Sequence, residues 1–212
     1  MHIKKLLDGV IGVMFANRVE LNSTMLRFGE YYESAKFRGK IFTLHEFKKW
    51  YIKNSVGGKK TGKFTYYHDW SGFNIPSHIL KPFYDGKFDP LSDKEKEFLK
   101  KFKKYKGKYY IIAVYRGMDS SSQMHEIAHA LFYTNRFYRN HVLKILKDIN
   151  PEVKKQIFGY LKKYVYNKSI WMDEMHAYIL TGLKHSEKHG VNVVKLIHIR
   201  KSLEETFFKY YN

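Results

Sequence analysis

Met124-His125-Glu126-Ile127-Ala128-His129-Ala130 is an H-E-x-x-H pattern, and it decides how the rest of the chain is read. On a helix, residues four apart share a face, so His125 and His129 can turn ring nitrogens toward one metal ion with Glu126 beside it. Two imidazoles suit a tetrahedral zinc site, with zinc–nitrogen bonds of about 2.0–2.1 Å and a retained water whose pKa falls to about 7. Glu126 would take that water's proton. With 11 His and 12 Glu in 212 residues, composition alone gives about 0.03 occurrences of the pattern. The flanking sequence has to carry the rest.

Upstream, Tyr109-Tyr110-Ile111-Ile112-Ala113-Val114-Tyr115 is a run of β-branched and aromatic residues closed by Arg116-Gly117, which predicts a strand. Asp119-Ser120-Ser121-Ser122-Gln123 then supplies a helix start. Ser120 and Gln123 have capping-box spacing, and Asp119 or Ser122 could cap instead. Ile127, Ala128, Ala130, Leu131 and Phe132 give the helix an apolar face that would hold the two histidines in place.

A strand followed by an H-E-x-x-H helix resembles the shared core of the zincin-type zinc metallopeptidases, over roughly residues 109–182. The metzincin extension needs Gly at 132 and His at 135, where this chain has Phe132 and Asn135. The glutamate-zincin branch draws its third ligand from a Glu on a later helix. The stretch Ser169-Ile170-Trp171-Met172-Asp173-Glu174-Met175-His176-Ala177-Tyr178 offers Glu174, and Glu174-x-x-Ala177 is similar to the pattern of small gluzincins. The resemblance implies an α+β, helix-rich fold with a small sheet next to the H-E-x-x-H helix. It also implies that residues 109–115 present a strand edge able to pair with an extended peptide. On this reading His125, His129 and Glu174 bind Zn2+, Glu126 is the general base, and Tyr178, one turn after Glu174, donates to an oxyanion. Asp173 points about 100° away from Glu174 around the helix, so it would orient the far nitrogen of His125 or His129. His176 is the rival ligand.

The rest of the chain is read as support. Residues 1–16 resemble a signal peptide, but Asp8 interrupts the apolar region, and an amphipathic first helix is preferred. Thr43 and Glu46 form a capping box ahead of Leu44, Phe47 and Tyr51 on one stripe, and Ser92 and Glu95 form another ahead of Phe98, Phe102 and Tyr105. Gly57-Gly58-Lys59-Lys60-Thr61-Gly62-Lys63 imitates a phosphate-binding loop, but Phe64 stands where Ser or Thr should bind magnesium, so a flexible basic turn is expected. Residues 63–67 are read as a strand and 68–76 as an aromatic turn. Helices are expected over 139–149 and 151–166, broken at Asn150-Pro151, and a closing helix over 192–210. His185 and His189 are a further pair four apart, in a polar stretch read as a solvated loop. The domain reading is an accessory region at 1–62 and a zincin-like domain at 63–212.

There is no Cys, so any metal must rely on His and carboxylates, and a reducing, cytoplasmic setting is the expected one. No stretch approaches a membrane span. The formal charge of +19 has two readings: a basic face for nucleic acid or another polyanion, or a Lys-rich composition that also shows in abundant Tyr, Phe, Ile and Asn. The function expected is therefore a zinc metallopeptidase acting on a peptide or protein. The alternative is a basic nucleic-acid-binding or scaffold protein whose zinc site is structural or idle.

Overall fold

The computed structural model describes residues 1–118, 120–164, 166–182, 187 and 190–211. The chain divides into two compact units, Met1–Met118 and Asp119–Asn212. A small mixed sheet in the first and helices in both make the fold α+β, as expected. The division replaces the expected boundary at 62/63. Its cause is long-range strand pairing: β2 (Val10–Phe15) lies parallel to β4 (Tyr110–Tyr115), from Val10 opposite Tyr110 to Phe15 opposite Tyr115. Residues 1–62 are thereby built into the same sheet as residues 63–118.

The sheet order is β1-β2-β4-β3, with β1 (His2–Leu7) antiparallel to β2 and β3 (Gly72–Pro76) antiparallel to β4. Residues 1–16 are thus a hairpin and not the expected amphipathic helix. Leu7 pairs with Val10 across a two-residue Asp8-Gly9 loop, and Gly9 takes φ 71°. That positive φ is what a tight hairpin turn demands and what glycine supplies without strain. β4 is interior, bonded on both sides and buried along almost its whole length. Its main-chain groups are already committed, which overturns the expectation of a free edge at 109–115; the sheet's edges are β1 and β3. Pro76 ends β3, in keeping with an edge position.

α1 (Arg18–Glu33) packs against β2, β3 and β4, and its Asn17 side chain accepts from the Glu20 amide. α2 (Leu44–Asn54) and α5 (Asp93–Phe102) start at the capping boxes expected, Thr43/Glu46 and Ser92/Glu95. Three local readings are corrected. Gly57 and Gly58 lie in a short helix, α3 (Val56–Thr61), started by the Ser55 side chain, and not in a flexible turn. Residues 66–68 form a 3-10 turn where a strand was expected, and the strand is β3, inside the stretch read as an aromatic turn. After α4 (Lys81–Tyr84), aromatic rings fill the core: Phe83 stacks on Phe88 at 3.9 Å and tilts against Phe28 at 4.2 Å.

One buried ion pair ties α1 to α5. Arg27 Nε donates to Glu95 Oε1 at 2.7 Å and Nη2 to Oε2 at 2.6 Å, while Nη1 donates to the Phe88 carbonyl at 2.7 Å. Glu95 also accepts from the Ser92 amide, so one carboxylate caps a helix and neutralises a buried guanidinium.

Among the described residues the second unit holds α6 (Ser120–Thr134), α7 (Arg136–Ile145), α8 (Pro151–Lys163), α9 (Trp171–Thr181) and α10 (Ile197–Tyr211). α8 starts at the expected break, with the Asn150 side chain accepting from the Glu152 and Val153 amides. Val153, Ile157 and Leu161 are buried along α8, as are Leu196, Ile199, Leu203 and Phe207 toward the C-terminus, while Tyr164 and Tyr210 are partly exposed. Asp119, His185 and His189 lie outside the described residues. Among the described residues no helix is long and apolar enough to cross a membrane.

Replacing Glu95 with Ala would leave Arg27 as an uncompensated buried charge. We expect Glu95→Ala to lower unfolding free energy by about 3–5 kcal/mol in urea titration; a change below about 1 kcal/mol would mean water or relaxation replaces the pair.

Candidate metal centre

α6 and α9 pack against each other, and their facing side chains build the site. On α6 the four-residue spacing puts His125 and His129 on one face, as expected. On α9, Glu174, Ala177 and Thr181 follow the i, i+3, i+7 stripe. Glu174 and Thr181 both reach the α6 histidines, so the small, fully buried Ala177 between them permits close approach.

Three acceptor groups converge. His125 Nε2 and His129 Nε2 are 3.1 Å apart, His129 Nε2 is 3.7 Å from Glu174 Oε1, and His125 Nε2 is 3.8 Å from Glu174 Oε2. Ligands on a tetrahedral zinc with bonds of about 2.0–2.1 Å would stand about 3.3 Å apart, so the three groups already have nearly the required spacing. Among the described residues these three form the cluster able to hold a metal.

The outward nitrogens show which tautomers face inward. Asp173 Oδ1 accepts from His129 Nδ1 at 2.8 Å. Thr181 donates its hydroxyl to the Ala177 carbonyl at 2.8 Å, so its oxygen is an acceptor for His125 Nδ1 at 3.4 Å. With Nδ1 of each ring bonded outward, Nε2 of each faces the other ring and the Glu174 carboxylate. Glu174 Oε2 is buried and lacks a hydrogen-bond partner. Two imidazole nitrogens and a carboxylate gathered in a buried space call for a cation, either a proton on His129 or a metal ion, and an orphaned carboxylate oxygen is a group a metal would satisfy. The donor set therefore fits a zinc ion.

The electrostatics agree. Burial works against a charged His129, but Asp173, Glu174 and Glu126 outweigh it and hold its pKa well above the ordinary histidine value. Burial alone would raise Asp173, yet His129 and His176 draw it down to about 2. Side-chain exposure is 16% for His125, 2% for His129 and 4% for Glu174, so access to the cluster lies on the His125 side.

Glu126 is buried on α6 close enough to raise the His129 pKa by its charge. Asp173 binds the far nitrogen of His129, the role expected of it. His176 is fully buried and stands outside the cluster: Nδ1 donates to the Asp173 carbonyl at 2.7 Å, Nε2 is 3.3 Å from the Tyr138 hydroxyl, and Phe132 stacks on the ring at 5.0 Å. Tyr178 sets its ring edge-to-face with His125 at 4.8 Å, and its hydroxyl is 3.2 Å from that of Tyr166. Burial, reinforced by Glu174, raises its pKa well above the ordinary phenol value, so it stays protonated. Sequence reasoning missed Thr181 and Tyr166. Thr181 could have been found at seven residues after Glu174, whereas Tyr166 reaches the site from outside the helix and leaves no periodic signal.

No family model matches this chain, and neither a curated protein nor a solved structure gives a significant match. The site therefore rests on its own geometry.

Asp173→Ala should free the His129 ring and weaken metal binding about 10–100-fold, measured by chelator competition. Unchanged affinity would mean that Asp173 does not hold His129 in its ligating tautomer.

Proposed function

We propose that the chain is a zinc-dependent peptidase, with His125, His129 and Glu174 as ligands and Glu126 as general base. The observation that carries this reading is the meeting of the Nε2 atoms of His125 and His129 with a buried Glu174 carboxylate, one oxygen of which lacks a hydrogen-bond partner. Bound there, zinc would supply Lewis acidity toward a scissile carbonyl and lower the pKa of the attacking water.

The protein's own groups account for the remaining chemistry. Glu126, adjacent to His125 in sequence, accepts the proton of the attacking water and later passes it to the leaving amine. Tyr178 can accept from Tyr166, and its proton, which is engaged with the Tyr160 hydroxyl, would turn from there toward a developing oxyanion. Asp173 and Thr181 keep each imidazole in its ligating tautomer.

A catalytic role is favoured over a structural one by two features. Structural zinc sites are closed by four protein ligands, whereas three converge here among the described residues, which leaves a position for water. A structural site also has no use for a buried glutamate between its two histidines.

Elemental analysis of the purified protein should find about one zinc per chain, reduced in His129→Ala and in Glu174→Ala. Glu126→Gln should keep its zinc while losing about 10²–10⁴-fold in hydrolysis of a fluorogenic peptide library. Full activity in that variant would refute the general-base assignment. Absence of zinc after reconstitution would remove the peptidase reading.

A further inference from the structure

The basic charge of this protein is unevenly distributed. Residues 1–118 carry 24 Lys and Arg against 11 Asp and Glu, net +13, whereas residues 119–212 carry 15 against 9, net +6. Within the first unit, residues 47–68 contain six lysines and no acidic residue. This run is α2, α3 and the turn that follows.

Two structural features keep these charges concentrated. α3 follows α2 after the single residue Ser55, which ends one helix and caps the next. Gly58 then lets α3 lie directly on the last turn of α2: a Cβ there would meet the Tyr51 carbonyl and stand 2.6 Å from Ile52 Cα. Only glycine permits that approach, so Lys53, Lys59 and Lys60 share one short hairpin. Lys49, Lys53, Lys59, Lys60 and Lys63 are exposed, and among the described residues none of the five takes part in an ion pair. The carboxylates that flank the run are engaged locally: Glu46 in the Thr43 capping box and Asp69 with the Tyr51 and Thr65 hydroxyls.

Aromatic rings lie among these cations. Lys48 Nζ sits 5.3 Å from the Phe64 ring centre and 5.9 Å from that of Tyr67, and these two partly exposed rings meet edge to face at 5.1 Å. We propose that α2, α3 and residues 63–67 form a binding surface for single-stranded nucleic acid, with the lysines taking phosphates and the rings of Phe64 and Tyr67 stacking bases. Lysine charge supplies sequence-independent attraction through counterion release, and the exposed parts of the two rings, from which Lys48 can swing away, favour unpaired bases. An anionic membrane is the poorer match. An amphipathic helix binds lipid with its apolar face, and on α2 Phe47 and Tyr51 are buried in the core with Leu44 and Trp50 packed against it. The residues of this surface belong to the first unit and those of the metal cluster to the second.

The test is fluorescence anisotropy with a labelled 20-nucleotide oligo(dT) and a duplex of equal length, titrated across a salt series. Lys49→Gln, Lys53→Gln, Lys59→Gln and Lys60→Gln combined should reduce the slope of log affinity against log salt by about 0.7 for each phosphate left without its lysine, and affinity by tenfold or more at about 0.1 M salt. The same number of changes in the second unit, Lys144, Lys147, Lys162 and Lys163 to Gln, should leave both nearly unchanged. Phe64→Leu should weaken the single strand with an unaltered slope, its fold checked by circular dichroism. Equal reductions from the two lysine sets would overturn the proposal in favour of diffuse charge. So would absence of saturable binding, tighter binding of the duplex, or an effect confined to phosphatidylserine vesicles.

Discussion

A carboxylate oxygen buried without a donor is the constraint on which the metal centre depends. Glu174 Oε2 has left water and found no hydrogen bond, and the His125 Nε2 stands 3.8 Å from it. Leaving a charged group in that condition costs several kcal/mol. The arrangement is tolerable only with a cation among the three groups. A proton shared through His129 can serve, and the raised pKa of that residue expresses the demand. A metal ion serves better, because it satisfies all three acceptors at once.

Two adjacent residues of α9 divide the work on one imidazole. Successive side chains on a helix diverge by about 100°, so Glu174 reaches Nε2 of His129 while Asp173 reaches Nδ1. Asp173 is held in turn by His176, whose Nδ1 lies 3.3 Å from its Oδ1 and whose Nε2 meets Tyr138 of α7. Rigid helices thus supply the groups facing the cluster as well as the groups that orient them, which is the condition for keeping ligand geometry within a fraction of an ångström.

How much of this is legible in the sequence depends on the range of the interaction concerned. The cluster is legible because each half of it is local: His125 and His129 are four apart, and Asp173, Glu174 and Ala177 are fixed relative to one another by helix geometry alone. Both first-unit capping boxes are legible for the same reason. The N-terminal hairpin also has a local sign, though an ambiguous one. Asp8 interrupts an apolar run, but Asp-Gly between alternating apolar residues is equally a hairpin turn, and the pairing of Leu7 with Val10 decides between them. The interior position of β4 has no local sign, because it depends on pairing with residues about 100 positions earlier. That pairing also erases the domain boundary expected after residue 62.

The uneven charge follows from the same difference in range. Around the metal cluster the protein must gather carboxylates, and Glu126, Asp173 and Glu174 all act on His129 within a buried space where Coulomb forces are strong and short in reach. Additional lysines there would compete with the metal for Glu174. In the first unit no such demand exists, and α2 and α3 expose lysines to water, where each is worth little singly but their fields add over about a Debye length. Capture of a polyanion needs the second kind of electrostatics and a metal site needs the first. Opposite requirements on local charge would favour the proposed metal site and the proposed polyanion surface on separate units of one chain.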